Sequence, residues 1–173
     1  MDKKNDLAVD NIPDYLELDE LFWFVKQKAK TESRENVYIL TAIKNNPRQI
    51  AGFLVTENRS PETLQELVDN APPVKRYYTD GYLGYINVIF PGDHVRNVRN
   101  KDGTTTVESV NADLRHYIPI LARRSRCFAR SKETLRAVVE VFAAAYNRFG
   151  SAKHHFAMHR IRGEFPLGLV DFL

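Results

Sequence analysis

The sequence predicts an α/β fold, a mixed sheet with helices on its faces. Three observations carry that reading. Three apolar, strand-like runs follow one another with short connections between Leu16 and Val55. After residue 60, helical and strand-like segments alternate. A chain of 173 residues with 43% hydrophobic residues suits one domain able to bury its own core.

Leu16–Val25 is rich in Leu, Phe, Trp and Val and reads as a buried strand, and Val37–Ile43 reads as a second. Asn45-Asn46-Pro47 marks a turn and Gln49–Val55 a third strand, so this part predicts an antiparallel meander. Ser60-Pro61 is a helix start, a capping hydroxyl followed by proline in the first turn, with Leu64, Leu67 and Val68 as the buried stripe. Lys75–Tyr78 reads as a short strand ending at Thr79-Asp80-Gly81, and Tyr82, Tyr85, Ile86 and Ile89 as the apolar face of a short helix. A short strand is expected around His94-Val95 and a loop at Asn100–Gly103. Val107, Val110, Leu114, Tyr117 and Leu121 mark a helix face that Pro119 bends or ends. Ser131 caps a last helix carrying Leu135, Val138, Val139, Phe142 and Tyr146, closed by Gly150. Residues 1–14 are expected as a loose lead-in, 15–150 as the folded domain, and 151–173, which show no period, as a tail.

Several classes are excluded. No apolar run approaches the roughly 18 residues of a membrane span, so no membrane association is expected. The residues after Met1 are polar and predict no secretory leader. Cys127 is the single cysteine, so neither an internal disulfide nor a Cys-rich zinc site can form, and a cytoplasmic location follows. Beside Arg126, Cys127 could be activated, but it lacks a histidine partner pattern and reads as a small packing residue. His155 and His159 have ligand spacing with His154 beside them, yet no third ligand lies at useful spacing, so they read as part of a polar tail. Tyr77, Tyr78, Tyr82 and Tyr85 could stack on bases but read first as core and sheet packing.

The net charge of +3 hides an asymmetry. Residues 1–93 carry 11 Lys/Arg against 15 Asp/Glu, and residues 94–173 carry 14 against 7. Between Leu114 and Arg136 stand Arg115, Arg123, Arg124, Arg126, Arg130, Lys132 and Arg136, opposed only by Glu133. Such a run is either a solvated basic face or a surface for phosphate backbones, which guanidinium groups suit.

Three acids stand where the local pattern does not ask for them. Asp19 lies inside an apolar strand, where a carboxylate is costly unless paired. Asp80 ends a strand, the place where α/β sheets put ligands, although Asp before Gly81 is also ordinary turn chemistry. Glu108 begins a helix, with Asn111 and Arg115 three and seven residues on along the same face, although an acid there also complements the helix dipole. Three convergent carboxylates suit magnesium, and two such ions suit phosphoryl displacement.

At these residues the chain resembles the DDE transposases of the insertion-sequence-one family, in their catalytic half, from about Leu18 to Ala144. Asp19-Glu20-Leu21-Phe22-Trp23-Phe24-Val25 meets the family's opening acidic and aromatic motif. Thr79-Asp80-Gly81 with Tyr85 meets its second, and Glu108, Asn111, Leu114 and Arg115 meet its glutamate helix. Leu121-Ala122-Arg123-Arg124 and Phe128-Ala129-Arg130-Ser131 follow in order, and Glu62-Thr63-Leu64 lies upstream of the second motif. The family's tryptophan position holds Phe22, with Trp23 one later, and Arg96–Thr106 is longer and more polar than the family's stretch there.

The resemblance implies a ribonuclease-H-like mixed sheet flanked by helices, with Asp19, Asp80 and Glu108 as the metal-binding catalytic triad and Glu20 supporting it. It implies two magnesium ions, for which manganese can substitute, and DNA as partner, both transposon ends and target. Asn111, Arg115, Arg123, Arg124, Arg130 and Lys132 are the implied DNA contacts. It further implies a homo-multimer on paired ends, nucleoid association, and an upstream zinc-binding and helix-turn-helix part supplied by a separate or fused frame. The rival expectations are a ribonuclease-H-like nuclease that cuts without joining, and a non-catalytic DNA-binding or inhibitory remnant of a transposase.

Overall fold

A computed structural model describes residues 15–25, 35–97, 103–122 and 129–149. Strands β1 (Tyr15–Val25), β2 (Glu35–Lys44) and β3 (Gln49–Thr56) form the expected antiparallel meander, turning between β2 and β3 at Asn45–Arg48. Helix α1 (Pro61–Asn70) crosses to β4 (Arg76–Thr79), which is followed by a 3-10 turn at Leu83–Asn87 and by β5 (Asp93–Arg96). Helices α2 (Thr105–Tyr117) and α3 (Lys132–Phe149) complete the described fold, with a 3-10 turn at Pro119–Leu121 where proline ends α2.

The five strands lie in the order β3-β2-β1-β4-β5. β4 and β5 run parallel to β1, so the sheet changes from antiparallel to parallel pairing at its central strand. This is the mixed α/β sheet that the alternating pattern predicts, and its layout is that of a ribonuclease-H-like fold.

Alternation along β1 divides the core, because successive side chains leave opposite faces. Leu16 and Leu18, with Leu40 and Ala42 of β2, pack under α1 around Leu64, Leu67, Tyr77 and Tyr85. Leu21, Trp23 and Val25, with Val37, Ile39 and Ile43, pack under α2 and α3 around Val110, Leu114, Leu135 and Phe142. The local signals act as expected. The Ser60 hydroxyl accepts from Thr63 N with Pro61 in the first turn, and the Ser131 hydroxyl accepts from Thr134 N at 3.2 Å.

One expected apolar face is not buried. Of Tyr82, Tyr85, Ile86 and Ile89, Tyr85 is fully buried while Ile86 and Ile89 are 61% and 79% exposed. A five-residue 3-10 turn has three residues per turn and does not hold the i, i+3, i+4 stripe that the spacing of an α-helix would bury. The lead-in 1–14, the tail 151–173 with His154, His155 and His159, the helix-closing Gly150, and Arg123, Arg124 and Cys127 lie outside the described residues.

Candidate active site

Strand register sets the site. Tyr15, Leu16 and Glu17 of β1 pair in parallel with Arg76, Tyr77 and Tyr78 of β4. Carried forward, that register places Asp80, just past the end of β4, level with Asp19. Carboxylate oxygens of Asp19, Glu20 and Asp80 all lie within 4.8 Å of one another. Asp19 and Glu20 leave opposite faces of β1. Asp80 meets both because β4 stops at Thr79 and leaves the end of the strand open.

On the α2 face, Asp19 is held by several groups. Its Oδ1 accepts from Glu20 N at 2.8 Å, and its Oδ2 accepts from the Asn111 amide at 2.8 Å. Asn111 is buried, and its Oδ1 faces the Thr41 hydroxyl at 3.3 Å. Thr41 is the β2 partner of Asp19 in the register, so strand pairing and helix placement together lock the amide. Burial raises the Asp19 carboxyl above its ordinary range. The Glu20 N–H and Asn111 pull it back, and the charges of Asp80 and Glu108 push it up again. Glu108 is exposed, one turn before Asn111 on α2. Its charge reaches Asp19, but it stands outside the group of three acids within 4.8 Å.

On the α1 face, Glu20 has an incomplete set of partners. Its side chain is 4% exposed, and its Oε2 faces the Arg59 guanidinium at 3.4 Å. Oε1 and the neighbouring Tyr85 hydroxyl are both buried, close enough to interact but without a hydrogen bond of good geometry. Burial pushes the Glu20 carboxyl up to about 7; the Tyr85 hydroxyl and the Arg59 charge pull it back, and the charges of Asp80 and Asp19 push it up. Arg59 is itself fixed, its guanidinium 3.9 Å from the Tyr82 ring centroid and its carbonyl accepting from the Tyr82 hydroxyl. Asp80 Oδ1 accepts from Tyr82 N at 2.8 Å, which folds the loop after β4 back on the acid. Behind it, Thr79 Oγ1 and His94 Nε2 lie 2.9 Å apart.

The third acid of β1 has a different place. Glu17 is 1% exposed and accepts from Thr106 N and Val107 N at 2.7 and 2.8 Å. Thr104, at the head of α2, makes no side-chain cap, and Glu17 takes that role across 89 residues of sequence.

The structure therefore brings Asp19 and Asp80 together with Glu20, and sets Glu108 and Asn111 on the adjacent helix. Arg115 is half-buried one turn beyond Asn111 on α2. Arg130 is exposed just before α3, and Lys132, at the start of α3, pairs with Glu57 at 2.7 Å. Glu17, Thr41 and Arg59 carry no sequence signal for their roles. An acid at every second position from Glu17 to Asp19 is the one visible hint of a polar path on this face.

Oxygen donors alone form the central cluster, and oxygen sets suit hard divalent cations. A mixed five-stranded sheet with convergent carboxylates on its central strand and at the carboxyl end of the neighbouring parallel strand defines a ribonuclease-H-like acidic-site protein. The family model described as IS1 transposase matches residues 15–148, and the chain belongs to that family. No curated protein matches the sequence. Transposases of this family act on DNA. Among the described residues no helix is long and apolar enough to cross a membrane.

Proposed function

We propose that this chain is the catalytic part of a transposase, performing metal-dependent cleavage at transposon ends and joining of the freed 3′ hydroxyl to target DNA. The observation that carries the reading is the approach, within 4.8 Å, of Asp19 on the central strand and Asp80 at the carboxyl end of the neighbouring parallel strand. Asp19, Asp80 and Glu108 are the residues proposed to hold two magnesium ions, or manganese in their place. The cluster fits such a cation: it offers oxygens only, and one of them is buried without a well-placed donor.

A divalent cation, when bound, supplies activation of the attacking oxygen and stabilisation of the leaving one, so no side chain need act as general base. The chain's own residues supply the geometry. Asn111 keeps Asp19 turned towards Asp80, and Tyr82 N keeps Asp80 turned towards β1. Because its amide is occupied by Asp19 and Thr41, Asn111 serves the site from behind rather than as a DNA contact. Glu108, exposed on α2, completes the acidic set from the side open to a DNA strand. Arg115, Arg123, Arg124, Arg130 and Lys132 position the phosphate backbone, a role that carries little sequence information.

The test is Asp80→Asn in the full-length enzyme. Magnesium-dependent strand transfer is expected to fall by several orders of magnitude with the fold retained. Undiminished joining of labelled ends would remove Asp80 from the site, and cutting without joining by the unaltered enzyme would make the protein a nuclease.

A further inference from the structure

We propose that Glu20 is a direct ligand of the cation held by Asp19 and Asp80, reaching the site from the sheet face opposite to Asp19. The inference rests on the cation reading above and adds to it a residue from outside the expected triad.

Three observations lead to it. A Glu20 oxygen lies within 4.8 Å of ligand oxygens on both Asp19 and Asp80, a separation at which one ion can bridge them. Glu108, the triad member by resemblance, is not in that group. The Glu20 side chain is 4% exposed, and its Oε1 makes no hydrogen bond of good geometry even with the Tyr85 hydroxyl beside it, so an acceptor that a folded protein normally satisfies is sealed from water and poorly served. Finally, the surroundings of Glu20 fix it in place. Arg59 faces the other oxygen at 3.4 Å and is stacked on Tyr82, whose backbone N–H also holds Asp80. The side chains that orient Glu20 and Asp80 are thus one assembly, built on α1's approach and the loop after β4.

A carboxylate with one oxygen on a guanidinium and the other poorly served leaves a lone pair for a cation. Asp19 on the other face has a donor on each oxygen, Glu20 N on Oδ1 and the Asn111 amide on Oδ2, and is held in place by them. A cation between them would meet one acid from each face of the sheet and Asp80 from its open edge. The competing explanation is that a proton or the Tyr85 hydroxyl satisfies Oε1 permanently, in which case Glu20 has no affinity for metal.

Manganese alone is the probe, titrated into the full chain in the absence of DNA and followed by the loss of the free-ion electron paramagnetic resonance signal. Glu20→Gln keeps the shape and removes the charge; Glu20→Asp keeps the charge and withdraws it by one methylene. Both are expected to weaken manganese binding by about tenfold or more, with circular dichroism unchanged in EDTA. Asp80→Asn serves as the control for the underlying site. If both Glu20 variants bind manganese as the unaltered chain does while Asp80→Asn does not, the Glu20 proposal is overturned and the cation reading stands. If the unaltered chain and all variants fail to bind manganese, the cation reading fails, and the Glu20 proposal with it. Should Glu20→Gln not fold, Glu20→Asp decides alone.

Discussion

Two buried glutamates stand three residues apart on β1 and meet opposite fates. Glu17 points to the α2 face and finds two backbone N–H groups at the first turn of a helix, at 2.7 and 2.8 Å. Glu20 points to the α1 face and finds one guanidinium at 3.4 Å, with its second oxygen beside the Tyr85 hydroxyl but without a hydrogen bond of good geometry. Both are nearly sealed from water. Burial of an acid therefore does not separate a structural group from a functional one; the completeness of its donor set does. Glu17 has two donors on its Oε2, and its role is to start α2, the helix that carries Glu108 and Asn111. Glu20 is incomplete beside two more carboxylates, a cost that a scaffold residue would not retain.

The largest effect expected from this contrast is at Glu17. Glu17→Ala removes the acceptor from two helix-start N–H groups in a dry site, a loss of about 3 kcal/mol or more. Glu17→Gln keeps one oxygen for them and is expected to cost about half of that. Urea unfolding in EDTA measures both. An alanine variant as stable as the unaltered chain would break the comparison, because Glu17 would then be no better satisfied than Glu20.

The elements were legible in the sequence because their signals are local. Period-2 runs, the Ser60-Pro61 start, the Ser131 cap and the break at Pro119 each act within a few residues, and each holds in the structure. The candidate site was legible only as a set of misplaced acids. Spacing could not separate Glu17 from Asp19, since both sit on one face of β1 and both are acidic; what divides them is where α2 docks, a contact about 90 residues away in sequence. Nor could it join Glu20 to Asp19, since alternation puts neighbours on opposite faces. Their convergence depends on β4 ending at Thr79, so that Asp80 stands at an edge both faces share. Ile86 and Ile89 went astray for a related reason, because a 3-10 turn and an α-helix place the same spacing on different sides.

The second prediction has the opposite sign to the first. Glu20→Gln removes a buried charge with no full partner, so in EDTA at neutral pH it is expected to stabilise the fold by about 1–2 kcal/mol. The pH dependence follows from the same cause. An ordinary glutamate loses its proton near 4.5, whereas burial holds the Glu20 proton to about 7. Between these values the folded chain keeps a proton that the unfolded chain has released, so stability declines as pH rises from about 4.5 to about 7 and is level above it. Asp19, also raised by burial, adds to the decline. Melting temperatures across that window should fall for the unaltered chain in EDTA and fall less for Glu20→Gln. A flat profile for both would place Glu20 among the satisfied acids, with Glu17.

The smallest effect is expected at Thr41, and it grades Asp19 between the two glutamates. Asp19 has its donors, but one of them, the Asn111 amide, could present either its nitrogen or its oxygen. The Thr41 hydroxyl faces Asn111 Oδ1 at 3.3 Å, which leaves Nδ2 for Asp19 at 2.8 Å. Thr41→Val deletes the hydroxyl at nearly constant shape, and the loss of one weak neutral hydrogen bond costs about 1 kcal/mol or less. Without that hydroxyl the amide can turn and set its oxygen against the carboxylate, loosening Asp19 while leaving Glu20 and Asp80 untouched. Manganese affinity should therefore drop a few-fold, well short of the loss expected for Glu20→Gln, with stability nearly unchanged. A drop as large as that of Glu20→Gln would mean that the amide, rather than the poorly served oxygen across the sheet, is what keeps the acids ready for a cation.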